Sequence, residues 1–154
     1  TVVFESKKFN SKFLAMVCYE SIFPEFVAHF VNKGAEFLVF TTNDSWWGNT
    51  SGAYQHKQFA VLRAVENRRW VARCANGGVS CFIDPYGRTV QETQMYMRMT
   101  LVADVQPRTD MTFYSLHGDW LAESCLTLVA MFLAAGLGKK MYRTVRSREE
   151  LARS

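Results

Sequence analysis

The sequence predicts an α/β protein, a mixed β-sheet covered by helices, followed by one membrane-spanning helix. Three observations predict it. Through the first half, β-prone apolar runs alternate with segments of helical spacing, as parallel strands and their crossovers do. Past residue 70 such runs follow one another with only turns between them, which is the grammar of hairpins. Finally, Leu121 to Leu137 is apolar or small almost throughout and is followed at once by basic residues; about 20 such residues cross a bilayer.

Val2-Val3-Phe4 and Phe13-Leu14-Ala15-Met16-Val17 are apolar runs around a polar stretch from Ser6 to Lys12, hence two paired strands, the second ending on Cys18. Pro24 in a first turn, Phe26, Val27, Phe30 and Val31 at helical spacing and Gly34 beyond them predict a short helix. Phe37 to Phe40 reads as a buried strand that empties into the polar, aromatic loop Thr41-Thr42-Asn43-Asp44-Ser45-Trp46-Trp47-Gly48. A longer helix is expected from Ala53 to Arg69, with Phe59, Leu62 and Val65 on its buried face and Ala60 and Ala64 beside it. Strands follow at Trp70 to Cys74 and Val79 to Ile83. Asp84-Pro85-Tyr86-Gly87 suits a type I turn into another strand, and Leu101 to Val105 is expected to be the last.

With 154 residues, 49% hydrophobic and 21% charged, one sizeable core can form. The formal net charge of +4 lies entirely beyond Gly138, in Lys139, Lys140, Arg143, Arg146, Arg148 and Arg153 against Glu149 and Glu150. A neutral body with a basic tail offers no phosphate-binding face, so a nucleic-acid partner is not expected. Cys18, Cys74, Cys81 and Cys125 form no C-x-x-C pair and have no His at ligand spacing, so no metal is expected. Cys74 and Cys81 could pair across a hairpin, although free thiols are the commoner state of cysteines on apolar strands. The chain opens on Thr1 and on a β-rich run, so it reads as a fragment with no leader before it. By the positive-inside rule the basic tail lies in the cytoplasm and the globular part across the membrane from it.

Cys18 sits where an apolar strand turns towards a helix. A nucleophile at such a turn is exposed at the sheet edge, near backbone N–H groups that can receive an oxyanion; a lone cysteine on an apolar strand is otherwise a packing residue. Val17-Cys18-Tyr19-Glu20-Ser21 resembles the nitrilase superfamily, whose nucleophilic cysteine ends a strand before an aromatic residue and an acid. Thr42-Asn43-Asp44-Ser45-Trp46-Trp47-Gly48, Arg63-Ala64-Val65-Glu66 with Arg69, Arg73-Cys74-Ala75-Asn76-Gly77-Gly78-Val79 and the spanning helix narrow the resemblance to the bacterial apolipoprotein N-acyltransferase family.

The resemblance implies the second half of a nitrilase-like αββα sandwich over residues 1–119, a transmembrane helix over 120–138 and a cytoplasmic tail over 139–154. It implies that the Cys18 thiolate takes an acyl chain from a phospholipid of the phosphatidylethanolamine class and holds it as a thioester. The α-amine of a diacylglyceryl-cysteine apolipoprotein then receives it, in the inner membrane, with the catalytic domain periplasmic and no cofactor. The family's glutamate base and oxyanion lysine precede the cysteine, and none of the seventeen residues before Cys18 is assigned to either role. The chain alone is therefore expected to be inactive. Glu5, Lys7, Lys8 and Lys12 read as a solvated hairpin.

Glu20 is expected to orient its neighbours, or to favour a helix start. Tyr19 either shapes the pocket and offers its N–H or is a core aromatic. Trp46 and Trp47 either contact acyl chain or headgroup, the first more than the second, or plug their own core. Asn43 is expected to fix their loop. His56, placed on the polar side of its helix, is expected to be a surface or satisfied histidine. Glu66, Arg69 and Arg73 are expected to form an internal ion-pair network. A carbon-nitrogen hydrolase using water as acceptor, and an inactive membrane-tethered binding domain, are the alternatives.

Overall fold

In the computed structural model, residues 2–8 and 10–153 are described, with side chains up to Tyr142. Thr1 and Phe9, and the side chains of the tail from Arg143 onward, lie outside the described residues. The chain divides into two compact units, Thr1–Gly118 and Asp119–Ser154.

The first unit holds a six-stranded sheet in chain order. Strands β1 (Val3–Ser6) and β2 (Ser11–Val17) form an antiparallel hairpin. The chain crosses through helix α1 (Pro24–Asn32) to β3 (Phe37–Asn43), parallel to β2, and through α2 (Ser51–Asn67) to β4 (Val71–Asn76), parallel to β3. Strands β5 (Cys81–Ile83) and β6 (Thr89–Glu92) complete the sheet antiparallel. Between them, Gly87 N–H donates to Asp84 O at 2.9 Å, closing the expected turn.

Alternation along the strands puts Leu14, Leu38, Val71 and Ile83 in one cross-strand row, each fully buried. Val27, Phe30 and Val31 of α1 and Ala60 and Ala64 of α2 belong to the same core. The next row is Met16, Phe40, Arg73 and Cys81. An arginine in a core row has to find an anion in the interior, and that requirement shapes the site described below. On the opposite face Phe4, Phe13 and Phe37 stack in series, with centroids 5.5 and 5.3 Å apart.

Two sequence expectations fail here. Leu101–Val105 has alternating burial but forms no strand among the described residues. It packs by its side chains: Leu101 shares a cavity with Val39, Ala72 and Phe82, and Ala103 and Val105 share one with Phe37. The second concerns α2, whose buried stripe is Ala53, His56, Ala60, Arg63, Ala64 and Asn67, while Leu62 and Val65 are exposed. Small residues let the helix lie close to the sheet, and its buried polar groups reach partners that the pattern of large apolar residues does not reveal. A short helix, α3 (Phe113–His117), is capped by Thr112, whose hydroxyl accepts from Ser115 N–H.

The second unit is one helix, α4 (Trp120–Arg153), running unbroken through Gly138. Its segment Trp120–Tyr142, 23 residues, is long and apolar enough to cross a membrane. At about 1.5 Å per residue it is about 34 Å long, against about 30 Å of bilayer hydrocarbon.

Candidate active site

Parallel strands present their carboxyl ends at the same edge of a sheet, where open α/β sheets place their sites. Here β2, β3 and β4 end on Val17, Asn43 and Asn76, with Val17 paired to Thr41 and Asn43 to Asn76. The edge therefore gathers three distant stretches of sequence: the Cys18 turn, the loop from Asp44 to Gly48, and the Gly77-Gly78 corner.

Cys18 opens a 3₁₀ turn, Cys18–Ile22, with φ +53. A left-handed conformation costs a residue with a Cβ about 1–2 kcal/mol, so the turn has to be held. Val17 N–H donates to Glu20 Oε2 at 2.8 Å and Ser21 Oγ donates to Cys18 O at 3.1 Å. From α2, Arg63 Nη1 donates to Ile22 O at 3.0 Å. Arg63 Nη2 in turn donates to Glu66 Oε1 at 2.9 Å, and the two groups form an ion pair with Nε 2.8 Å from Oε2. The thiol is partly exposed, and the N–H groups that begin such a turn, Tyr19's among them, have no acceptor within it.

Asp44, fully buried, accepts from His56 Nδ1 at 2.8 Å, Arg73 Nη2 at 2.6 Å and Thr42 Oγ1 at 3.1 Å. Burial pushes its carboxyl up, but the hydrogen bonds and charges of Arg73 and His56 outweigh burial and hold it below the ordinary 3.8. The carboxylate accepts only, so the His56 proton facing it sits on Nδ1. Of the two expected states, surface or satisfied, His56 has the second: it is buried with its Nδ1 bonded to Asp44, and its ring stacks on Tyr19 with centroids 5.1 Å apart and planes 20° from parallel. Tyr19 also meets Trp47 at 6.3 Å. A Cβ on Gly78 would come within 2.3 Å of Asp44 Oδ2, so only glycine permits this approach.

Asn43 fixes its loop: Oδ1 accepts from Ser45 N–H at 3.2 Å, Ser45 Oγ at 2.7 Å and Asn76 Nδ2 at 3.1 Å. Trp47 N–H donates to Asp44 O at 3.0 Å, and the Trp47 ring lies against Gly52. Trp46 is 82% exposed, which excludes the plugged-core reading for it; Trp47 is 36% exposed. Cys18, Tyr19, Glu20, Asn43 and Trp47 thus come to one sheet edge, and Trp46 projects beside them.

The expected network of Glu66, Arg69 and Arg73 divides. Glu66 pairs with Arg63, Arg73 with Asp44, and Arg69 donates to the carbonyls of Ala35 at 2.9 Å, Asn67 at 3.1 Å and Asp110 at 2.7 Å. Cys74 and Cys81, both free thiols, lie on adjacent strands, one exposed and one buried, and burial raises the pKa of Cys81. Among the described residues no group of three or more His, Cys, Asp or Glu could hold a metal ion. In the sequence Asp44 and Gly78 stand only as members of longer motifs and His56 only as a surface or satisfied histidine, with no link among the three. The signal lay in α2, where small and polar residues recur at positions 53, 56, 60, 63, 64 and 67, a helical stripe made for burial without large apolar groups.

The model of the carbon-nitrogen hydrolase family matches residues 2–111. The chain belongs to that family. Among curated proteins it is similar to apolipoprotein N-acyltransferases. It is 44% identical over 126 residues to that of Chlorobaculum tepidum and 37% over 125 to that of Geobacter metallireducens, each match covering 81% of this chain and 24% of the relative. The chain therefore spans about a quarter of the length of the curated relatives it matches. Of solved structures, Nit3 of Saccharomyces cerevisiae, a member of branch 10 of the nitrilase superfamily, superposes with a TM-score of 0.53. It is 27% identical over 61% of this chain and 36% of that one. A variant of the amidase from Nesterenkonia sp. AN1 shares the fold at TM-score 0.50, with 24% identity over 61% of this chain and 37% of its own. The fold of this member of the carbon-nitrogen hydrolase family is thus nitrilase-like, with one candidate membrane helix at its carboxy-terminal end.

Proposed function

We propose that this chain is the nucleophile-bearing part of an N-acyltransferase that moves an acyl chain from a membrane phospholipid to an apolipoprotein. The observation that carries the reading is Cys18, held left-handed at the carboxyl edge of three strands in a chain 44% identical over most of its length to a protein named for that activity. The thiolate attacks the ester carbonyl of a phospholipid of the phosphatidylethanolamine class. The C–O bond breaks, a lysophospholipid leaves with the proton, and the acyl chain stays on sulfur as a thioester.

The free α-amine of a diacylglyceryl-cysteine apolipoprotein then attacks that thioester, forming an amide and returning the thiol. A thioester is more reactive towards an amine than the original oxygen ester, so one hard transfer becomes two easier ones. The Tyr19 N–H, near the start of its turn, receives the oxyanion of both steps on this reading. Glu20 and Asn43 hold the turn and the loop, and the Trp46-Trp47 loop meets acyl chain or headgroup. The base and the oxyanion lysine are then supplied by the complete gene product and not by the residues of this chain. Residues 120–138 span the inner membrane, with residues 1–119 periplasmic and 139–154 cytoplasmic.

The test feeds phospholipid labelled in its acyl chain, without acceptor, to the complete gene product in membranes. Label on the protein that hydroxylamine removes and that Cys18→Ser abolishes is expected; label surviving in Cys18→Ser sinks the proposal. The family match also admits a carbon-nitrogen hydrolase proper, with water as acceptor. That reading predicts no lipid-derived thioester and ammonia released from an amide.

A further inference from the structure

The Asp44, His56 and Arg73 cluster is a buried group of titratable side chains that the acyl-transfer chemistry does not use, and it ends on the residue next to the proposed nucleophile. Its links come from four separate places. Arg73 enters from a core row of β4, Asp44 from the end of β3, His56 from α2 and Tyr19 from the Cys18 turn. Arg73 anchors one carboxylate oxygen at 2.6 Å and His56 takes the other at 2.8 Å. The imidazole is thereby fixed in position and in the orientation of its plane, because an Nδ1–H bonded to an immovable carboxylate leaves the ring little freedom. Tyr19 rests on that plane at 5.1 Å. Tyr19 is 43% exposed, so the buried His56 ring is a principal surface to which it can be fastened.

Cys18 needs such a fastening. Glu20 and Ser21 hold the turn from inside, and Arg63 holds its far end at Ile22. The peptide between Cys18 and Tyr19, which carries the N–H proposed to face the oxyanion, is fixed on its Tyr19 side by the stack on His56.

We infer that His56 is a positioning residue for the nucleophile: clamped by Asp44 and Arg73, its ring fixes Tyr19 and through it the left-handed turn that aims Cys18 and the Tyr19 N–H. It acts through Tyr19 and does not touch the reacting atoms. The inference rests on the proposed acyl transfer for its catalytic consequence and on geometry alone for its structural one.

Two measurements on the complete product in detergent-solubilised membranes separate these. The first is the initial rate of hydroxylamine-labile acylation from phospholipid in mixed micelles. The second is the rate of Cys18 alkylation by iodoacetamide, read by peptide mass spectrometry so that Cys74 and Cys125 do not interfere. The variants are His56→Asn, which keeps a donor towards Asp44 and removes the ring, Tyr19→Ala, which removes the stack from the other side, and the double variant. His56→Gln replaces His56→Asn should the latter not fold.

Either single variant is expected to lower maximal acylation about tenfold while the half-saturating phospholipid concentration changes less than twofold. The double variant should be no worse than the poorer single one, the signature of two residues acting as a unit. Alkylation should change by the same non-additive pattern. Losses that multiply in the double variant, or a His56→Asn protein with both rates unchanged, overturn the inference. If the parent shows no Cys18-dependent acylation, the acyltransferase reading fails and the alkylation cycle alone decides the role of His56.

Discussion

Arg69 and Arg73 stand four residues apart, both almost wholly buried, and they are neutralised in opposite ways. Arg73 faces a carboxylate, Asp44, at 2.6 Å. Arg69 has only the carboxylate of Asp110, at 4.0 Å, and spreads its charge over the backbone carbonyls of Ala35, Asn67 and Asp110. Burial pulls the Arg69 guanidinium below its ordinary pKa, with Asp110 opposing. The difference separates scaffold from site. Carbonyls belong to the chain whatever its sequence, so Arg69 staples three backbone segments and meets side chains only more distantly, at the Asp110 carboxylate and the Met111 sulfur. Arg73 depends on one acid, and that acid holds His56 and the Trp47 loop.

Replacing each arginine by alanine should sharpen the contrast. Arg73→Ala strands a buried carboxylate and is expected to cost about 3–5 kcal/mol at neutral pH. That cost should shrink as pH falls towards 5, because Asp44 without its arginine can escape by taking a proton. Arg69→Ala leaves carbonyls without a donor, about 1–3 kcal/mol for each that water does not reach, and its cost should be flat over the same range. Denaturation of the detergent-solubilised product at pH 7 and pH 5 checks both. Equal pH responses would erase the distinction.

A smaller effect is expected at the corner that touches Asp44. Gly78→Ala would set a methyl 2.3 Å from Oδ2, and the required shift should cost about 1–3 kcal/mol, read as a lower thermal midpoint. Gly136→Ala, in open space on α4, is the control and should not lower the midpoint, since alanine is the better helix former. Smaller still is the acid response of the unaltered protein. The folded pKa of Asp44 lies below 3.8, so its contribution is complete above about pH 4 and disappears as pH falls through the folded value. Near-ultraviolet circular dichroism should hold constant from pH 7 to pH 5 and decline below pH 4; a decline centred near pH 6 would contradict this.

The elements were legible where periodicity and punctuation agreed. Phe13 to Val17, Pro24 to Gly34 and Phe37 to Phe40 each carry a pattern that only one structure satisfies, and the structure has β2, α1 and β3 there. Leu101 to Val105 misled because alternation reports a half-buried extended chain and says nothing about a hydrogen-bonded neighbour. Helix α2 misled in its facing because large apolar residues were taken to mark the core. Within the candidate site, the position of Cys18 was legible, because the apolar run Phe13 to Val17 ends just before it and the chain turns there. His56 was not, since its burial depends on Asp44 and Arg73, which reach it only after three strands have been laid side by side.

Arg73 in a core row also acts as a check on assembly. If β4 slipped by one residue against β3, every side chain would change faces, and the guanidinium would leave Asp44 for the side of Phe13 and Phe37. A slip by two would keep the face and move the charge about 7 Å along the strand, again out of reach. An all-apolar row would tolerate such errors with modest loss. A single salt bridge here accepts one alignment and penalises its neighbours, so the ion pair that steadies the candidate site also proofreads the register of the strands that build it.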